Sequence, residues 1–292
     1  MQLTDAMELY ITVRLQRYVR PDPAFQMVRR YFPHLPETSI EGLTRLEVLT
    51  WHAALGRTMP VMANKCLSHL HSLYEILRDA GVYEGPNPTL HIKRFREYPR
   101  KRFVQPGEEM RRLPESLARV PVLLQAYFWV VLTTGCRRDE ARRMRWTEVE
   151  LTTGRWDLPK TKNGRVHVLW LPATVLALFA QLPRRSEWVF TTASGRPVGI
   201  GWVESVWATI RTRAHFPDIQ IRDLRRTLAS WLTAEGMSMQ EIGQILNHAS
   251  FQTTEWYLAG LQPGPAVAKG VALHTDRLLA HVTKETPSCT RS

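Results

Sequence analysis

The stretch RWDLPKTKNGRVHVLWL, Arg155 to Leu171, decides the fold class. Two strand-like runs, one from Arg155 and one from Val166, flank Asn163-Gly164, the dipeptide that best tolerates the left-handed residues of a tight turn. This pattern predicts a β-hairpin with Lys162 near its tip. On both sides of it the apolar residues recur at helical spacing. Upstream, Val120 to Thr134 is a nearly continuous apolar helix broken at Gly135, and a second amphipathic helix follows from Asp139. Downstream, the pattern is helical from Ala173, and Ser238-Met239-Gln240-Glu241 is a capping box opening a helix with Ile242, Ile245 and Leu246. The expectation is a mainly α region with one small β element.

The first hundred residues read as helices only. Leu3, Met7, Tyr10, Ile11 and Leu15 share helical spacing, and Phe25, Val28 and Tyr31 supply another turn pattern. Thr44-Arg45-Leu46-Glu47 is a capping box, with Gly56 as a stop. Pro60 opens a stretch in which Met62, Cys66, Leu70, Leu73, Tyr74 and Leu77 form one face, ended by Gly81. Four short helices make a small bundle. Between the two regions runs Lys93-Arg94-Phe95-Arg96-Glu97-Tyr98-Pro99-Arg100-Lys101-Arg102-Phe103, with neither helical nor strand periodicity and bounded by prolines. The resulting division is a helical domain over 1–92, a basic linker over 93–110, a second domain over 111–262 and a C-terminal helix and tail over 263–292.

The charge balance narrows the function classes. Of 292 residues, 39 are Lys or Arg and 27 Asp or Glu, a net charge of +12. Residues 1–103 carry 15 basic against 10 acidic side chains, so the excess is not one basic tail on a neutral body. Such a field suits nucleic acid, and the linker cations Lys93, Arg94, Arg96, Arg100, Lys101 and Arg102 read as a strap along phosphates. No run of 18 apolar residues exists, which argues against a membrane span. The first ten residues lack a secretory pattern, so a cytoplasmic, nucleoid-associated protein is expected. Three cysteines far apart disfavour a disulfide scaffold or zinc module. His69 and His71 have no nearby ligands at metal spacing, and Trp129, Trp146, Trp207 and Trp231 read as core.

Four scattered pieces belong together. They are Thr134-Gly135-Cys136-Arg137-Arg138-Asp139-Glu140, the hairpin lysine, Arg222-Asp223-Leu224-Arg225-Arg226-Thr227, and Leu246-Asn247-His248-Ala249-Ser250 followed by Thr253-Thr254-Glu255-Trp256-Tyr257. The set resembles the tyrosine recombinase (phage integrase) family, whose pattern is TGxRxxE, a hairpin TK, HxLRxT, LGHxS and a late tyrosine, in this order. The resemblance covers roughly residues 108–260 by motif. It implies an N-terminal helical core-binding (SAM-like) bundle, a mixed, mostly helical catalytic domain, and a C-shaped clamp around duplex DNA. It also implies site-specific strand cleavage and rejoining through a 3′-phosphotyrosyl intermediate, with Tyr257 as nucleophile. Arg137 and Arg225 would stabilise the phosphorane charge, Lys162 would protonate the leaving 5′-oxygen, and His248 would hydrogen-bond the scissile phosphate.

One position departs from that pattern: Arg222 stands where HxLRxT has its histidine, and a guanidinium cannot accept a proton. It can still donate to the phosphate or hold the tyrosine oxygen. Glu140 matches the supporting acidic member, and the expectation is that it pairs with Arg222. The resemblance calls for no metal and no cofactor. It implies a homo-tetramer on paired double-stranded DNA sites, leaves room for accessory DNA-bending proteins, and lets the C-terminal helix dock on a neighbouring protomer or on its own domain. Two rivals remain: a catalytically impaired, recombinase-like DNA-binding regulator, and a type IB topoisomerase-like enzyme that relaxes without exchange.

Overall fold

The computed structural model describes residues 1–15, 22–35, 39–98, 100–159 and 167–247. The chain divides into two compact units, Met1–Pro99 and Arg100–Ser292.

In the first unit, helices α1 (Leu3–Leu15), α2 (Asp22–Tyr31), α3 (Arg45–Gly56) and α4 (Pro60–Asp79) surround one core. Helix α4 is the long member, 20 residues, and buries Cys66, Leu67, Leu70, Leu73, Tyr74 and Leu77 along one stripe. The Thr44 capping box forms as the sequence predicts: Thr44 Oγ1 accepts from Glu47 N, and Glu47 returns to Thr44 N at 2.8 Å. Gly81, at φ +68, follows α4. Helix α3 ends at Gly56, as the sequence predicts, and the glycine has a second purpose. A Cβ there would lie 2.1 Å from the Phe95 ring, so the glycine makes room for that side chain. His69 and His71 are occupied within the fold, by the Tyr10 hydroxyl at 2.8 Å and by Thr89 Oγ1 at 2.9 Å.

The second unit is built around α6 (Val122–Thr134), which is apolar all round and almost entirely buried. Helices α5 (Glu108–Leu117), α7 (Arg138–Arg142), α8 (Ala173–Phe179), α9 (Ile200–Arg213), α10 (Ile221–Ala234) and α11 (Met239–Ile245) complete the described α-helices of this unit. The sequence pattern does not announce α5, whose first turn lies within residues 93–110 and whose Pro114 interrupts the expected spacing. Helix α7 spans only five residues, shorter than the amphipathic helix expected from Asp139. Among the described residues, Trp207 and Trp231 are buried, and Trp129 and Trp146 pack against the same core.

The β element is a three-stranded antiparallel meander of β1 (Val149–Glu150), β2 (Arg155–Leu158) and β3 (His167–Trp170). Trp156 pairs with Leu169, and both turn inward along with Leu158, which gives the sheet one core face. Strand β1, two residues long, is an addition to the expected hairpin. The ladder is described as far as Leu158 opposite His167. The Asn163-Gly164 turn and Lys162 lie outside the described residues, as do His248, Tyr257 and the C-terminal segment.

Candidate active site

The site grows from the end of α6. Thr133 and Thr134 turn their hydroxyls back to the carbonyls of Trp129 and Val130, at 2.8 and 2.6 Å. Gly135 then reverses the chain at φ +63, and a Cβ there would lie 2.6 Å from Leu246 and 3.0 Å from Leu228. The glycine therefore lets this turn press against α10 and the end of α11. Cys136 follows, buried, its thiol pushed up to about 12 by burial and thus protonated at neutral pH.

Arg137 sits at the N-cap of α7. Glu140 holds it twice, taking the backbone N–H at 2.7 Å and Nη1 at 2.8 Å. The expected pairing of Glu140 with Arg222 is corrected: Glu140 serves Arg137, its neighbour at i−3. The first turn of a helix offers that reach directly, while Arg222 lies on another element. The neighbouring Arg138 forms an ion pair with Glu204 of α9, tying α7 to α9.

Arg225 projects from α10 and is only 7% exposed. Its guanidinium donates to the Gly135 carbonyl at 2.5 Å and to the Leu246 carbonyl, so part of its donor fork anchors the loop before Arg137 and the end of α11. A buried cation is tolerable only with such acceptors. Arg222, three residues earlier on the same helix, is exposed. Asn247, just after α11, has φ +49 and stands where the family motif carries glycine; asparagine is among the few other residues that accept this conformation.

These elements enclose a cleft of about 670 Å³. Arg137, Arg222 and Arg225 all line it, with Arg138, Arg211 and Glu204 on the sides. Arg138 stands in the Thr134–Glu140 motif without a role of its own, and Arg211 lies outside every motif. Arg211 becomes visible as a wall residue only when Glu204, Trp207 and Arg211 are seen on one face of α9. A second omission is His167, at the start of β3. Its ring bonds the Gln244 backbone, and Glu140, Arg225 and Arg137 are its charged neighbours. Burial, assisted by the two guanidiniums and opposed by Glu140, holds its pKa below the usual imidazole value. Of the expected linker cations, Lys93, Arg94, Arg96 and Lys101 are exposed. Arg100 and Arg102 are paired with carboxylates, at 2.9 Å to Asp223 and 2.7 Å to Asp218 respectively.

The cleft gathers several guanidiniums and so carries a positive field, and comparison with known proteins identifies the family of the chain. A model of the phage integrase family matches residues 106–262, more than half of the chain, and the chain belongs to that family, the tyrosine recombinases. It is 26% identical over 195 residues to a shufflon-specific DNA recombinase of Escherichia coli, covering 65% of this chain and 49% of that protein. Against the integrase of Salmonella phage P22 it is 24% identical over 187 residues, covering 58% and 45%. The chain thus spans about half the length of the curated relatives it matches. Among solved structures, a lambda integrase dimer (residues 75–356) bound to a COC′ core site superposes with a TM-score of 0.73 at 15% identity, over 88% of this chain and 95% of that one. The Tn1549 transposon integrase in complex with transposon right end DNA gives 0.66 at 15% identity, over 96% and 100%. These likenesses show the fold: mostly helical, with a small antiparallel sheet. No described helix is long and apolar enough to cross a membrane.

Proposed function

We propose that this chain is a site-specific DNA recombinase that cleaves and rejoins strands through a 3′-phosphotyrosyl intermediate. The observation that carries the reading is the meeting of Arg137, Arg222 and Arg225 in one cleft, from two separate sequence motifs. Attack of the Tyr257 hydroxyl on a phosphodiester passes through a pentacoordinate phosphorus with added charge on its non-bridging oxygens. Two guanidinium forks, Arg137 and Arg225, stabilise that charge without a change of protonation. The P–O bond to the 5′-oxygen breaks as the P–O bond to tyrosine forms, and the phenolic proton passes to solvent. Lys162 gives the leaving oxygen its proton, and His248 donates to the phosphate. Arg222 adds a further donor to the phosphate, and Glu140 supports the site by fixing Arg137. Rejoining reverses these steps with a 5′-hydroxyl from a partner strand.

The partner in this reading is double-stranded DNA, in a homo-tetramer on paired sites. Solved neighbours include a lambda integrase dimer bound to a core site and a tetramer bound to a Holliday junction, which supports it. A nicked suicide substrate tests the chemistry. The wild-type chain should give a denaturation-resistant protein–DNA adduct, Tyr257→Phe none, and Arg137→Ala about 10²–10³-fold slower adduct formation. No adduct from the wild type at saturating DNA would sink the reading in favour of a DNA-binding regulator. Adducts with relaxation but no exchange between two labelled duplexes would make the enzyme topoisomerase-like.

A further inference from the structure

Arg100 reads in the sequence as one phosphate contact among several, but its surroundings give it another task. Its Nε donates to Asp223 Oδ2 at 2.9 Å, and its Nη2 donates to the Asp218 carbonyl. Asp223 is 2% exposed. Its Oδ2 also accepts the Gln220 N–H at 2.9 Å, capping α10. Arg102, on the other side of Lys101, repeats the arrangement. It spans Glu109, in the first turn of α5, and Asp218, in the loop before α10. Val104 N then donates to Thr227 Oγ1 at 3.0 Å, and Thr227 donates to the Asp223 carbonyl at 2.9 Å. Arg100, Arg102 and Val104 therefore face the protein while Lys101 faces solvent. The segment is sewn to the opening turns of α10.

That helix carries the site. At 100° per residue, Arg222 and Arg225 lie about 60° apart on one side, and Asp223 lies about 100° and 160° from them. A hold on Asp223 from behind thus sets the rotation of α10 and the direction in which Arg222 leaves it. We propose that Arg100 is a positioning residue for strand cleavage: through Asp223 it locks the first turn of α10 and aims Arg222 and Arg225 into the cleft. It is not a DNA phosphate contact. The inference rests on the proposed roles of Arg222 and Arg225.

The test uses the full chain, a nicked suicide duplex, and the variants Arg100→Gln, Arg100→Lys and Asp223→Asn. Arg100→Gln should slow adduct formation at saturating DNA by about 10- to 100-fold, the cost of a small misplacement of catalytic groups. The Kd and its dependence on salt should stay as in the wild type. Arg100→Lys, which retains a cation for Asp223, should recover most of the rate. Asp223→Asn keeps an N-cap and needs no counter-ion, so it folds even where Arg100→Gln does not. It should slow cleavage similarly, and the double variant should be no slower than either single one. The opposite pattern overturns the proposal: weaker binding, a salt slope smaller by about one, and an unchanged saturating rate would make Arg100 a phosphate contact. If the wild type forms no adduct, the recombinase reading fails by itself. Hydrogen exchange then judges the positioning: faster exchange of the first-turn amides of α10 in Arg100→Gln and Asp223→Asn supports the lock, and unchanged exchange refutes it.

Discussion

Residues 93–98 and 100–104 are halves of one basic run, held in opposite ways. The first half is fastened without its cations, through the Asn64 amide, which also donates to Glu97 Oε1 at 2.8 Å. Asn64 donates to the Phe95 carbonyl at 2.9 Å and accepts the Phe95 N–H at 3.0 Å, and the Phe95 ring stacks on His52 at 4.7 Å over Gly56. Its cations Lys93, Arg94 and Arg96 take no part in the fastening and stay exposed. The second half is fastened by its cations, with Arg100 and Arg102 against Asp223, Asp218 and Glu109. A density of positive charge therefore does not tell what the charges do. What separates the halves is whether carboxylates lie opposite the cations, as Asp223, Asp218 and Glu109 do for Arg100 and Arg102.

The largest effect expected from this contrast is on stability. Arg100→Met leaves Asp223 buried beside no cation and should destabilise the second unit by about 3 kcal/mol. Arg96→Met, which removes only an exposed cation 5.0 Å above the Tyr98 ring, should change stability by less than about 0.5 kcal/mol. Urea unfolding of both variants measures the difference, and equal values would erase the distinction between the halves. Next in size is the Asn64 clasp. Asn64→Ala leaves the Phe95 backbone without its side-chain partners and should cost about 1–3 kcal/mol. Gly56→Ala drives the same ring from its seat and should cost a similar amount. Because both act on Phe95, the double variant should lose less than the sum.

A smaller effect concerns binding. Each of Lys93→Gln, Arg94→Gln and Arg96→Gln should weaken DNA binding across sequences and lower the slope of log K against log salt by about one. Arg102→Gln should leave that slope unchanged. A titration at several salt concentrations decides it, and a full unit lost with Arg102→Gln would place the second half on phosphate after all.

What could be read from the sequence, and what could not, follows the range of the interactions. The capping boxes at Thr44 and Ser238 and the reversal at Gly135 are local, and all three appear where residue types demand them. Glu140 was legible too, since an acid three residues after Arg137 matches a helix's first turn; the expected partner Arg222 overlooked that shorter reach. Helix α5 was hidden by Pro114 and by the charged run before it. Arg211 and His167 join the site only through packing of α9 and β3, for which no local spacing gives a signal. The pairing of Arg100 with Asp223 spans 123 residues and is invisible for the same reason.

The smallest predicted effect is a pH dependence confined to the Asn64 clasp. His52 is 2% exposed, with Nε2 3.3 Å from Asn64 Oδ1. Burial holds its pKa below the usual 6.5; the Asn64 bond pulls upward and Arg94 pushes downward. Above pH 6.5 the imidazole is neutral in both folded and unfolded chains, and its contribution to stability is complete. As pH falls below 6.5 the unfolded chain takes a proton that the folded one resists, so stability drops, by at most about 1.4 kcal/mol per pH unit, until the folded pKa is passed. His167 shifts in the same direction in the second unit, so whole-chain unfolding would mix the two. Hydrogen exchange at the buried Leu70 and Leu73 amides of α4 isolates the first unit. Their protection should fall as the pH drops below about 6.5 in the wild type and stay flat in His52→Gln. Parallel curves for the two proteins would mean that His52 takes its proton as freely in the clasp as in the open chain.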